Sequence, residues 1–153
     1  MKREKMEEPY VVRVKDEDLD VFNTLVKDPG SPFKKLVSAG SKKAVFLMAM
    51  AVGFCEGRKE ELKDIKTRDY DRVSYLDAKE KALIKAIAVA DKNGDLHVLL
   101  NPKEVYSIAE AYAAGGIKLL KNKVFSGEFG SYIKRLEAEL LEKNKKNKTT
   151  LQP

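Results

Sequence analysis

The chain has 153 residues, a mass of 17.2 kDa, 43% apolar and 35% charged side chains, and a formal net charge of +6. A chain this long can bury about 68–70% of its unfolded surface, so one hydrophobic core is expected, and the ordinary apolar share with interspersed charges excludes wholesale disorder. One cysteine excludes a disulfide framework, and with one histidine it argues against a structural zinc site.

The charge is unevenly placed. Residues 1–8 are neutral, residues 142–153 carry +3, and +3 is left for the body between them. The pI near 9.2 is therefore half a tail effect. The segment MKREKMEEPY has no apolar core of the kind a secretory signal needs. The longest uncharged run, Ala44 to Cys55, would span only about 18 Å as a helix against a bilayer core of about 30 Å. A cytoplasmic protein without a membrane span is expected. Abundant Lys and Glu beside a single glutamine, Gln152, is a composition to which thermophilic proteins tend.

In chain order, Tyr10 to Lys15 alternates and is β-branched, which predicts a short strand with Tyr10, Val12 and Val14 inward and Val11, Arg13 and Lys15 outward. Asp16 to Val26 reads as a helix, with Asp16 as N-cap and Leu19, Phe22, Leu25 and Val26 on one stripe. Lys27 to Pro32 is turn punctuation, and Phe33 to Val37 allows one helical turn. Ser41 caps the most apolar element, Lys42 to Cys55, which is hydrophobic all round and so must be enclosed, by the C-terminal half of the chain or by a partner. Met48 and Met50 are read as core.

Gly57 to Ser74 has eleven charged residues of eighteen and reads as a solvated connection or a polar helix. Asp77 and Glu80 have capping-box spacing and open a helix that runs to Asp91 and stops at Asn93-Gly94. Leu96 to Leu100 is a short apolar stretch, read as a strand. Asn101-Pro102 starts the next helix, with Val105, Ile108, Ala109 and Tyr112 inward, and Gly115-Gly116 ends or kinks it. Ser126 to Glu142 reads as a last helix with Tyr132, Ile133, Leu136 and Leu140 inward, and the Lys-rich tail 144–153 as disordered. The expected fold is mainly α, with about five helices and one or two short strands. Residues 1–143 are expected to form one α-rich domain whose halves, 9–56 and 74–143, are joined by the charged segment 57–73.

Motifs of catalysis and metal binding are weak. Asp91 to Asp95 begins like a calcium loop, but the sixth position is Leu96 and the twelfth is Pro102, where glycine and a bidentate carboxylate are required. A helix C-cap explains it better. Glu61-Leu62-Lys63 has the form used by some metal-dependent nucleases, without a supporting strand and aspartate. His97 and Cys55 have no neighbouring helper, and no phosphate-binding glycine loop surrounds Gly115-Gly116. The expectation is a protein that is not an enzyme and has no metal or cofactor.

The order strand, helix, turn, helix in the first 55 residues matches ribbon-helix-helix proteins, which pair one strand from each of two chains and insert the ribbon into the DNA major groove. In that arrangement Arg13 and Lys15 face the bases, Ser41 and free amides hold a phosphate, and Lys34, Lys35, Lys42 and Lys43 add charge. The long connection from Val26 to Ser41 departs from that fold.

Pro32-Phe33, Ala44-Val45-Phe46, Gly53-Phe54, Gly57, the run Ala82 to Ala88 and the run Glu110 to Ile117 together resemble the Dnd system-associated protein 4 family. The likeness spans about residues 16–120 and consists of apolar and glycine positions, so it marks a fold rather than an activity. It implies an accessory role in DNA modification, defence or mobile-element biology, and brings no catalytic residue with it. Together these readings lead to an expectation of a homodimer that binds double-stranded DNA. The alternative is a subunit that docks a protein partner through the apolar helix 44–54.

Overall fold

The computed structural model describes residues 7–35 and 41–126, and, further on, 134, 135, 137–139, 141 and 142. It is mainly α. Four helices carry the fold: α1 (Leu19–Lys27), α2 (Ser41–Cys55), α3 (Ala78–Asp91) and α4 (Pro102–Phe125), with strands β1 (Val11–Lys15) and β2 (Thr67–Arg72) and short 3-10 turns between them. Residues 134, 135, 137–139, 141 and 142 are helical as expected. The expected inward residues Tyr132, Ile133, Leu136 and Leu140, and the tail from Asn144, lie outside the described residues.

α2 and α4 form the centre, and glycines let them touch. A Cβ on Gly116 would sit 1.9 Å from the Ala49 carbonyl oxygen, and one on Gly53 would sit 2.0 Å from the Tyr112 oxygen. A Cβ on Gly115 would lie 2.2 Å from the Arg58 oxygen, where the chain leaving α2 crosses α4. Gly115-Gly116 therefore does not end α4, which runs on to Phe125. The pair is set inside a helix because only a bare backbone fits the crossing.

The apolar α2 is enclosed by its own chain. Val45, Phe46, Ala49, Met50 and Val52 are at most 1% exposed, and Ala44, Leu47, Met48, Phe54 and Cys55 are partly buried against the same cluster. That cluster draws on α1, both strands, α3 and α4, so elements from before and after the charged segment share it. The first of the two possible covers is the one found. This corrects the reading of helix 44–54 as a docking face.

The charged segment 57–73 conceals a strand. β2, Thr-Arg-Asp-Tyr-Asp-Arg, pairs antiparallel with β1 and carries an extra residue where Val12 opposes Asp71 and Arg13 opposes Asp69. This bulge turns Tyr70 inward, 3% exposed, where its ring meets Phe22 at 4.9 Å and Phe46 at 6.3 Å and its hydroxyl donates to the Lys42 carbonyl at 2.8 Å. One buried aromatic in a bulged strand leaves no alternation to read.

The first strand thus has its partner within the chain, and its other edge faces α4. The Arg13 backbone N–H on that edge donates to the Glu110 carboxylate of α4. A ribbon made with a second copy, as in ribbon-helix-helix dimers, is therefore replaced by an internal one. Leu96–Leu100 is a 3-10 turn capped by Asp95, whose side chain accepts from His97 N at 2.9 Å, rather than a strand.

The helix ends follow local chemistry. Glu80 N donates to Asp77 Oδ1 at 2.8 Å and Asp77 N to Glu80 Oε1 at 2.9 Å, the reciprocal capping box. α3 stops at Asn93 and Gly94, with φ of 57° and 89°, where Gly94 N closes on the Val89 carbonyl at 2.9 Å. α4 starts on Asn101, whose side chain accepts from Glu104 N at 3.3 Å, with Pro102 at the first helical position. Asp16 does not cap with its side chain. A 3-10 turn, Asp16–Asp18, comes first, and α1 begins after Asp18.

Candidate nucleic-acid interface

The cations named from the sequence fall into three groups. Arg13 is on the solvent side of the ribbon, 60% exposed in its side chain, with Asp69 3.7 Å away. Lys15 was expected beside it but is 7% exposed, its ammonium 3.0 Å from Glu60 and 3.9 Å from Glu17. The strand is followed at once by the turn into α1, so its last residue is drawn inward. Lys15 is thus buried against two carboxylates rather than facing solvent beside Arg13, as the ribbon-helix-helix arrangement requires.

Lys42 and Lys43 are partly buried at the start of α2. Lys42 Nζ donates to the Tyr70 carbonyl and lies 4.8 Å from the Tyr70 ring centre. Lys43 Nζ is 2.7 Å from Glu80 and donates to the Tyr75 carbonyl at 3.0 Å, and its hydrogen bond to Glu80 holds its pKa above the usual lysine range. Both ammoniums are engaged by the fold, Lys42 through a carbonyl and Lys43 through a carbonyl and a carboxylate, and each retains N–H donor capacity beyond these. Lys34 and Lys35 are in the turn Pro32–Lys35 and Ser41 opens α2, but their side chains lie outside the described residues.

Other candidates resolve into structure. Asp91 takes the Tyr112 hydroxyl at 2.6 Å and the Lys59 ammonium at 3.2 Å, while Asp95 takes the His97 ring nitrogen at 2.8 Å. The carboxylates of the calcium-like segment thus serve different partners. Burial opposes ionisation of Asp91, yet Tyr112 and Lys59 hold its pKa below the usual range. Glu61 pairs with Lys59 at 3.3 Å.

What the sequence did not reveal is an aromatic and cationic cluster at the end of the ribbon. Arg72 of β2 lies opposite Val11, its guanidinium 5.5 Å from the Tyr10 ring centre and 5.8 Å from that of Tyr75. Both rings are open to solvent, Tyr10 at 68% and Tyr75 at 52%. Arg68, also on β2, is 55% exposed, near Asp16 at 3.7 Å. An arginine between two exposed rings presents a π-face and a fork of donors together. No spacing rule finds it, because Tyr10, Arg72 and Tyr75 meet only after β1 and β2 pair.

Beside this cluster an open cleft of about 370 Å³ lies between β1 and the first turns of α4, lined by Pro9, Tyr10, Val11, Arg13, Lys103, Tyr106 and Glu110. Burial pushes the Glu110 carboxyl up to about 7, with the Arg13 N–H and charge pulling the other way. Tyr106 is 2% exposed, and its hydroxyl has no hydrogen-bond partner among the described residues. Burial raises its pKa to about 12. A second unpartnered group is the Asp18 carboxyl, 1% exposed, whose pKa burial raises against the charges of Lys118 and Lys15.

Among the described residues no cluster of three or more His, Cys, Asp or Glu side chains could hold a metal ion, and no helix is long and apolar enough to cross a membrane.

These features define a small mainly α protein built on a glycine-lined helix pair, with a short β-ribbon at its side. The chain belongs to the DNA sulphur modification system-associated protein 4 family, whose model matches residues 12–152. It is thereby linked to DNA modification, and the match reaches past the core into the C-terminal segment. No curated protein and no solved structure matches the chain. Several of the residues that suggested the family lie in the core. Phe33 and Phe46 are buried, Phe54 meets Tyr112 edge-on at 5.5 Å, and Gly53, Gly115 and Gly116 make the helix crossing.

Proposed function

We propose that the protein is a non-enzymatic, duplex-DNA-binding accessory of a DNA modification system, and that the β1–β2 ribbon is its contact surface. One observation carries the reading: Arg72, between the exposed rings of Tyr10 and Tyr75, shares the ribbon with the exposed Arg13. Two-stranded ribbons fit DNA grooves, and arginine reads guanine and phosphate with the same fork. Arg68 on β2 and Lys66 just before it add exposed cations, each 3.7 Å from Asp16. The reading is drawn for one chain, because the ribbon and the cover of α2 are both completed internally.

The test is fluorescence anisotropy with a duplex, titrated with salt, comparing the full chain with one ending at Leu141. Binding by both, with log K falling by about 0.9 per phosphate contacted, supports the reading. Arg13→Ala, Arg72→Ala and Tyr10→Ala should each weaken binding several-fold, and the arginine changes should also flatten the salt slope. Loss of all binding with the tail, or none near physiological ionic strength, overturns it.

A second reading is favoured by a different surface. Leu96, Leu99 and Leu100 are 66%, 38% and 72% exposed in the turn between α3 and α4, a grouping typical of protein contacts. In this reading the docking face lies there rather than on helix 44–54. A stable complex lost in Leu96→Glu with Leu100→Glu, but kept in Arg72→Ala, would favour it over the ribbon.

A further inference from the structure

The cleft between β1 and α4 has more hydrogen-bond donors than the fold uses. Arg13 reaches it from the strand and Lys103 from the first turn of α4, and Lys103 has no ion-pair partner among the described residues. Tyr106 is one of its lining residues, and the buried hydroxyl has no hydrogen-bond partner among the described residues. An unpartnered buried hydroxyl is unfavourable, and a ligand oxygen that accepts from it would relieve this. Glu110 is the one acidic lining residue, and one of its oxygens already accepts the Arg13 N–H.

We propose that this cleft binds a tetrahedral oxyanion of the phosphoryl type, with Arg13 and Lys103 as its counter-charges and the Tyr106 hydroxyl as a neutral donor. Two strong cations and an orphan hydroxyl, walled by Pro9, Tyr10 and Val11, favour an anion over a cation or an apolar ligand. At about 370 Å³ the space exceeds a bare phosphate, and the Tyr10 ring offers a flat wall to a group attached to it. The chemistry is shared by a free nucleotide and by a backbone phosphate of DNA, and only the second source rests on the function proposed above.

Glu110 makes the affinity depend on pH. As a carboxylate it repels the anion, and protonated it adds a fourth donor. The groups facing it are Arg13 on β1, Lys103 and Tyr106 on α4, and Tyr10 on the chain entering β1. Glu8 acts on Tyr106 from further off and is held by Lys81 at 3.0 Å, and Asp69 of β2 lies beside Arg13. With the Glu110 carboxyl near 7, binding should tighten between pH 8 and pH 6.

Sulfate is the first probe, because its charge does not change over that range. Calorimetry or chemical-shift titration of the full chain should show sulfate and phosphate binding. Tyr106→Phe, which keeps the ring, and Lys103→Ala should each weaken it about 5-fold or more, with circular dichroism confirming the fold. Sulfate affinity should rise several-fold from pH 8 to pH 6 in the parent protein and stay flat in Glu110→Gln. Absence of binding at tens of millimolar, or binding indifferent to Tyr106→Phe and Lys103→Ala, overturns the proposal. Two further arms separate the sources. A nucleoside monophosphate that outcompetes sulfate while duplex binding is unchanged in these variants supports a free ligand, and duplex binding weakened in the same variants supports a backbone phosphate. Sulfate bound without any duplex affinity keeps the site and removes the ribbon reading. Duplex bound without sulfate does the reverse.

Discussion

Replacing Gly116 by alanine separates two effects of opposite sign. In an exposed helix the change would stabilise by about 1 kcal/mol, since alanine is the better helix former. At Gly116 the new Cβ would lie 1.9 Å from the Ala49 carbonyl oxygen and 2.5 Å from the Gly53 nitrogen, where real contacts stay above 3.0 Å. Both neighbours are backbone, so no side chain can swing away, and α2 and α4 must part by about 1 Å. A gap of 0.5–1 Å forfeits roughly a quarter to a half of each van der Waals well across the seam. The residues losing contact include Met50, Ile117 and Leu120, all fully buried. A loss of about 4 kcal/mol, like that of a large core truncation, set against the helix gain of about 1 kcal/mol, leaves a destabilisation of about 3 kcal/mol. For a chain of this size that lowers Tm by about 6–12 °C. Thermal and urea unfolding followed by circular dichroism measures it. Once the helices have parted, Gly53→Ala should add less than its own single effect. A Gly116→Ala protein melting at or above the parent temperature would refute the close-crossing account.

Glu110→Gln should alter the pH profile of stability more than its value in acid. The folded protein holds this carboxyl at about 7 against an ordinary 4.5, so the neutral form favours folding. Its stabilisation is complete below the ordinary value and is lost as pH rises through 7, and the full displacement corresponds to about 3 kcal/mol. Urea unfolding at pH 5, 7 and 8.5 should therefore show the parent weakening where the glutamine variant does not, and parallel profiles would contradict this. Asp77→Ala removes one half of the capping box of α3 and should cost about 1 kcal/mol, seen as a shift of the urea midpoint at constant slope. Tyr70→Ala should cost about 3–5 kcal/mol, because the ring is the inward side chain of β2 packed between Phe22 and Phe46. A cost within the range of an ordinary surface change, about 0.5 kcal/mol, would mean that β2 is not anchored by that ring.

Much of the fold is legible in the residues. The stripe of Phe22 and Leu25, the Asp77–Glu80 box, the Asn93-Gly94 stop and the Asn101-Pro102 start are local signals. Each is set by side chain and backbone a few residues apart, and all four appear where their spacing places them. Val12 and Val14 likewise turn inward from an alternating strand. The family resemblance is also readable, because many of its residues are apolar and glycine positions of the core, although Gly57, Ala82, Leu83, Lys85 and Ala86 face solvent.

Tertiary structure alone decided the rest. β2 is hidden because its one core residue, Tyr70, is turned inward by a bulge that only pairing with β1 creates. Gly115-Gly116 looks like a stop until α2 is laid against it. Lys15, Lys42 and Lys43 look like free cations until Glu60, Tyr70 and Glu80 arrive from 45, 28 and 37 residues away. The cleft of Arg13, Lys103, Tyr106 and Glu110 has no sequence signature, since its walls are brought together over 97 residues. Periodicity and capping are short-range chemistry and can be read along the chain, whereas which charges are spent on the fold and which remain for a ligand depends on long-range packing.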